Sequence, residues 1–117
     1  MIKANFRTEG YPDGNAYICE VKGHAYTGLT GNERDMVCSG ASMLVNTLLE
    51  KARHMESRDR KSFSVSATIG KGDAFIRIDT AGDDPTRRML DIWDTFVLGF
   101  RLLQKHYGKY VQVTVED

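Results

Sequence analysis

Two side chains in the first third of the chain are of the types that make a nucleophile and its base. Cys38 stands where a long apolar periodicity begins, and His24 precedes it by a stretch that carries glycines at Gly28 and Gly31. Asp35 occupies the position expected of a helix N-cap. With that cap, Cys38 falls at the third helical position, near unpaired backbone N–H groups and the positive end of the helix dipole. Such a placement lowers a thiol pKa, and a nearby imidazolium lowers it further. The thiolate is the attacking species, and His24 can pass its proton to a leaving group. The same N–H groups could stabilise a developing oxyanion. Ser42, one turn after Cys38, could hydrogen-bond into the site, and Asp35 could cap the helix, orient the histidine, or both.

Plainer readings stand beside these. A cysteine on a helix is most often a small core hydrophobe, and Cys19, on the inward face of a strand, is read that way. A histidine after a strand is usually a loop residue, and a serine on a helix is by default a tolerated polar residue. His54 and His106 lie near helix C-termini, where a cation is favoured in any case. A zinc site gathering Cys19, His24 and Cys38 lacks a fourth ligand. There is no CxxC, HExxH, glycine-rich phosphate loop or GxSxG. Asp79, Asp83 and Asp84 could suggest a cation site, but Pro85 makes helix capping the stronger reading.

The elements that must position the pair follow from periodicity. Residues 2–7 alternate, with Ile2, Ala4 and Phe6 on one face of a half-buried strand. The turn formers of 9–15 predict a hairpin, and 16–22 alternate again, with Tyr17, Cys19 and Val21 inward and Gly23-His24-Ala25 at the end. Residues 26–34 have neither period and read as a mobile loop. Val37, Ala41, Leu44, Val45, Leu48, Ala52 and Met55 form the stripe of a helix running to about Glu56. Two further strands, around Phe63–Ile69 and Ala74–Asp79, flank a tight turn at Gly70-Lys71-Gly72-Asp73. Asp83-Asp84-Pro85 announces a second helix, striped by Met89, Trp93, Phe96, Val97, Phe100 and Leu103 and widened by Leu90, Leu98 and Leu102. Val111, Val113 and Val115 make a last strand. The order ββαββαβ predicts a two-layer α+β domain: an antiparallel or mixed sheet with both helices packed on one face.

At 117 residues the chain is expected to be one domain, spanning 1–117. Sixteen basic residues balance sixteen acidic ones, so nothing global points to direct contact with nucleic acid or to an anionic membrane. No apolar run is long enough for a bilayer, and the N-terminus lacks a signal peptide's apolar core. A cytoplasmic protein is expected, and with it reduced thiols.

The residues Gly23-His24-Ala25, a glycine-bearing loop, then Asp35-Met36-Val37-Cys38 with Ser42 one turn on, resemble the paired signature of the ribosomal-processing cysteine proteases, the Prp family. The resemblance covers essentially the whole chain. It implies an endopeptidase that removes a short N-terminal extension from large-subunit ribosomal protein number twenty-seven, cutting after an aromatic residue. His24 and Cys38 would be the catalytic pair, and Asp35 and Ser42 would support it. Gly23, Ala25, Gly28 and Gly31 would belong to the substrate loop. No cofactor or metal is implied, and a homodimer is. The loop from Ala25 to Arg34 is about two residues longer than the family pattern, and the turn at Tyr11–Asn15 also reads as extended. Two rivals come from other classes: a non-catalytic ribosome-associated binding module of the same fold, and a metal or redox protein using Cys19 with Cys38.

Overall fold

A computed structural model describes the backbone of residues 1–23 and 31–116, and the side chains of 1–23 and 36–116. The elements are β1 (Ile2–Tyr11), β2 (Gly14–Lys22), α1 (Gly31–Arg58), β3 (Phe63–Gly70), β4 (Asp73–Thr80), α2 (Asp83–His106) and β5 (Val111–Glu116). This is the predicted ββαββαβ order. The five strands form a single mixed sheet in the order β3-β4-β2-β1-β5. Every neighbouring pair is antiparallel except β1 and β5, which run parallel.

Alternation along each strand becomes rows across the sheet. One row on the helix side runs Val115, Phe6, Cys19, Ile76, Ala67, and the next runs Val113, Ala4, Val21, Ala74, Ile69. β2 is central, and four consecutive residues, Ala16 to Cys19, are buried. Ile18 faces away from the helices yet is 1% exposed. Its register partners are Arg7 and Arg77, whose long stems can cover an apolar neighbour. Their heads pair with Glu20 at 2.9 Å and Asp79 at 3.1 Å.

Both helices cover the other face. The inward stripe of α1 is the predicted one: Val37, Ala41, Val45, Leu48, Ala52 and Met55 are buried and Leu44 is half-buried. α2 is anchored by aromatic contacts, the Phe6 ring lying edge-on 5.3 Å from both Trp93 and Phe100. The helices meet where side chains are smallest. A Cβ added at Gly99 would stand 2.8 Å from a Leu44 methyl, and one at Gly40 would stand 3.2 Å from a Leu103 methyl. Gly40 thus admits a side chain of α2.

Four local expectations are corrected. Strand β1 continues to Tyr11, which pairs with Gly14, so the first hairpin closes on the two residues Pro12 and Asp13 and is not extended. The loop expected over 26–34 ends earlier, because Gly31–Arg34 already have helical backbone. The N-cap of α2 is Gly82, at φ 99°, and makes no side-chain cap bond; Asp83 and Asp84 sit in the first turn, where their charge still favours the dipole. Leu90, Leu98 and Leu102 do not widen the buried stripe: they stay on the outer surface, Leu98 being 57% exposed.

Candidate active site

α1 begins at Gly31, seven residues before Cys38. Asp35 is therefore inside the helix and not its N-cap, and Cys38 is about two turns in. The influence of a helix end fades within its first turn. Activation of Cys38 by the free N–H groups of the helix start, expected from the apparent cap, therefore does not hold. Gly31, expected in the substrate loop, is helical. His24, Ala25 and Gly28 lie outside the described residues, as do the side chains of Gly31–Asp35.

What the helix does provide is placement. Cys38 is half-buried at the edge of the core, next to the fully buried Val37. Four residues on, and so on the same side of the helix, Ser42 is exposed. Both line a cavity of about 240 Å³, together with Asn46 a further turn along α1. Ala41 and Val45 supply the apolar part of this wall. The Ser42 carbonyl accepts a bond from the Asn46 side-chain amide at 2.9 Å, which holds that amide against the helix.

The opposite wall comes from the sheet. Gly70 pairs with Asp73, so β3 and β4 are joined by a two-residue turn, Lys71-Gly72, with Gly72 at φ 81°. The pairing of β4 with β2 brings this turn beside the end of β2. There the Gly23 N–H donates to the Gly72 carbonyl at 2.9 Å. Gly23 is required twice over. Its φ is 98°, and a Cβ would collide with the Met1 carbonyl oxygen. Ile69 and Ala74 present apolar surface to the cavity, and among the described residues Asp73 is its one carboxylate.

Sequence reading named Cys38, Ser42 and Gly23, and the structure brings these three to one cavity. It did not name Val45, Asn46, Ile69, Gly72 or Asp73 as site residues. The Gly-Lys-Gly-Asp turn was legible, but its partner strand was not, and only the β2–β4 pairing carries it to the site. Cys19 is excluded from the chemistry. It is 1% exposed in the row between Phe6 and Ile76, and burial pushes its thiol up to about 12. Both cysteines are free thiols. Among the described residues no group of three or more His, Cys, Asp or Glu could hold a metal ion, and no helix is long and apolar enough to cross a membrane.

A thiol and a hydroxyl on one wall of a cavity with apolar lining are suited to holding a peptide at a nucleophile. The sequence family agrees. The model of the family described as "Cysteine protease Prp" matches residues 1–112. The chain belongs to the Prp family. It is accordingly an enzyme, a cysteine protease. Solved structures share the fold. The essential ribosomal processing protease Prp of S. aureus, with a covalently linked product peptide, matches at a TM-score of 0.70 and 18% identity, over 98% of this chain and 99% of that one. The same S. aureus protease with a substrate peptide matches at 0.70 and 16% identity, over the same shares. SMU.848 from Streptococcus mutans matches at 0.61 and 22% identity, over 100% of this chain and 96% of that one. No curated protein matches the chain in sequence.

Proposed function

We propose that this chain is a single-domain cytoplasmic endopeptidase that removes the N-terminal extension of large-subunit ribosomal protein number twenty-seven, cutting after an aromatic residue. Cys38 is the nucleophile and His24 its proton carrier. The observation that carries the reading is the position of Cys38: in a chain of this family, the thiol of the family motif lines a cavity with apolar walls. Those walls suit a bulky apolar side chain beside the scissile bond. The S. aureus protease that shares the fold was captured with a substrate peptide and with a product peptide, the product covalently linked.

In this mechanism the Cys38 thiol yields its proton to His24, and Sγ attacks the peptide carbonyl carbon. The C–N bond breaks as His24 returns the proton to the departing amine, leaving an acyl-thioester on Cys38. Water, deprotonated by His24, then releases the acid and the thiol. Ser42 shares the cavity wall with Cys38 and acts as a hydrogen-bonding partner to the reacting groups. Asp35, three residues before Cys38 in the chain, supports the dyad from within α1. Gly23 ends the strand that leads to His24, and Ala25 and Gly28 lie between the two catalytic residues in the chain. No cofactor takes part.

The test is incubation of the extended ribosomal protein with wild type, Cys38→Ala and His24→Ala, followed by N-terminal sequencing of the product. One new N-terminus, following an aromatic residue and seen with wild type only, is expected. Cleavage by Cys38→Ala equal to that by wild type ends the reading. The protein is further inferred to act as a homodimer. The support is outward-facing apolar residues on both helices, Met43 being 68% exposed and Leu98 and Leu102 also exposed. Light scattering at micromolar concentration gives twice the chain mass if this holds and the single-chain mass if it does not.

A further inference from the structure

A net charge of zero hides an uneven distribution. Residues 51–61 carry Lys51, Arg53, Arg58, Arg60 and Lys61 against only Glu56 and Asp59. Both acids are committed to the backbone. A Glu56 carboxylate oxygen accepts the Val65 N–H at 2.7 Å, and one from Asp59 accepts the Ser62 N–H at 3.2 Å. From α2, Arg87 and Arg88 are exposed. The paired cations lie elsewhere: Arg7, Lys22 and Arg77 meet carboxylates on the open face of the sheet. Among the described residues, Lys51, Arg58 and Arg88 have no carboxylate partner, and His54 reaches only Glu50, at 3.5 Å.

These side chains surround a cavity of about 300 Å³ at the C-terminal end of α1. Lys51, His54, Arg58 and Arg88 line it, with Asp59 as its one carboxylate among the described residues. Its base is formed by the buried Met55 and Phe63. The Arg88 guanidinium stands over the Phe63 ring, 5.6 Å from its centroid, which holds that cation at the cavity's edge. A cation at a helix C-terminus is favoured by the dipole. That accounts for Arg58 but not for Lys51 or for Arg88, which comes from another helix.

We propose that this cavity binds the phosphodiester backbone of RNA, with Lys51, Arg58 and Arg88 as the groups that meet phosphate. Three cations held around a single carboxylate, one already accepting the Ser62 N–H, repel one another, and a phosphate between them relieves that repulsion. Arginine suits the fork geometry of phosphate oxygens. Insertion into a membrane is disfavoured, because every apolar residue of 51–63 (Ala52, Met55 and Phe63) is buried. RNA is chosen over a free phosphate because exposed cations adjoin the lining residues in the chain, Arg60 and Lys61 following Asp59 and Arg87 preceding Arg88, as a chain of phosphates requires. The choice rests also on the ribosomal substrate proposed above, a protein that resides among RNA. The site would dock the enzyme on its substrate's surroundings while the Cys38 cavity takes the peptide.

The experiment is a fluorescence-polarisation titration of a short labelled single-stranded RNA against full-length protein over a range of salt. Lys51→Glu/Arg58→Glu should weaken binding by about tenfold or more at ~100 mM salt, and should reduce the salt slope by about 0.7 for each phosphate no longer neutralised. Lys51→Gln/Arg58→Gln, which leaves no new charge, should act in the same direction. Arg101→Glu, an exposed residue far along α2, should leave binding unchanged. Cleavage of a short extension peptide should be the same in all these variants, so a failure here is separable from a failure of the protease reading. Equal losses for Arg101→Glu and Lys51→Glu/Arg58→Glu would overturn the proposal. So would RNA binding abolished by competing phosphatidylserine vesicles, or by inorganic phosphate at millimolar concentration.

Discussion

The two thiols of this chain are the same group in two settings, and the contrast bears on which of them a substrate can reach. Cys19 sits in the middle of the central strand, sealed between sheet and helices, with Phe6 and Ile76 as its register partners. Nothing polar from solvent can reach it, and burial holds its proton on up to about pH 12. Cys38 lies at the other margin of the same core, half-buried, with one side against the packed helix layer and the other on a cavity. A thiol must be both held and reachable to serve as a nucleophile. Only Cys38 meets both conditions.

The contrast breaks most sharply in activity. Replacing Cys38 by Ala should lower the cleavage rate on the order of 10⁴-fold or more, as loss of a covalent nucleophile does. Cys19→Ala should keep kcat/KM per folded molecule, measured on the same peptide. A large loss in kcat for Cys19→Ala would reverse the assignment.

Stability against pH sharpens it next. The folded Cys19 pKa lies above its ordinary value of 9.0, so below pH 9 both folded and unfolded states keep the proton and Cys19 adds no pH dependence. As pH rises from 9.0 towards about 12, the unfolded state ionises first and is favoured. Denaturant titrations should then show wild type losing up to about 1.4 kcal/mol per pH unit from this group. Cys19→Ala should lack that component of the slope, and Cys38→Ala should keep it.

Gly23→Ala probes how the sheet wall of the Cys38 cavity is held together at the end of β2. A side chain at φ 98°, colliding with the Met1 carbonyl, should cost about 1–3 kcal/mol of stability. It should also lower kcat/KM, because the strand end that leads to His24 must shift. Unchanged activity with lowered stability would separate the strand end from the chemistry. The smallest effect is expected from Ile69→Asp, at a half-exposed position on the apolar wall. It should raise KM for a peptide with an aromatic residue at the cleavage site by about tenfold, with little change in melting temperature. A larger loss for a charged peptide than for the aromatic one would show that the wall does not bind that side chain.

Much of the architecture was legible because it is local. Ser64 and Ser66 alternate with the buried Phe63 and the half-buried Val65 and Ala67, and the strand they predict is there. The inward stripe of α1 was readable except for Leu49, which is also buried, since a core-facing helix repeats its apolar positions every three or four residues. The start of α1 was not. Gly31-Asn32-Glu33-Arg34 has no apolar period and a glycine at its head, while Asp35 has the chemistry of a cap. A polar first turn and a loop look alike in sequence, and only the backbone separates them. The α2 cap misled in a similar way: aspartates marked the helix start, but a glycine at positive φ makes the turn. The leucines of α2 failed for another reason. Apolarity does not say whether a residue beyond the stripe is covered, and here none of Leu90, Leu98 and Leu102 is.

By itself the sequence determined the set of elements, the faces they bury, and a spacing of histidine, cysteine and serine specific enough to name a family. Each of those depends on near neighbours in the chain or on a motif. The tertiary structure decided what surrounds Cys38. The cavity needs the turn between β3 and β4 to stand beside the end of β2, and that follows from β4 pairing with β2, partners more than fifty residues apart in the chain. It decided likewise that unpaired cations from two separate helices meet at one end. The physical reason is common to both. Register and helix docking are set by burial across distant segments, and burial is a property of the packed whole.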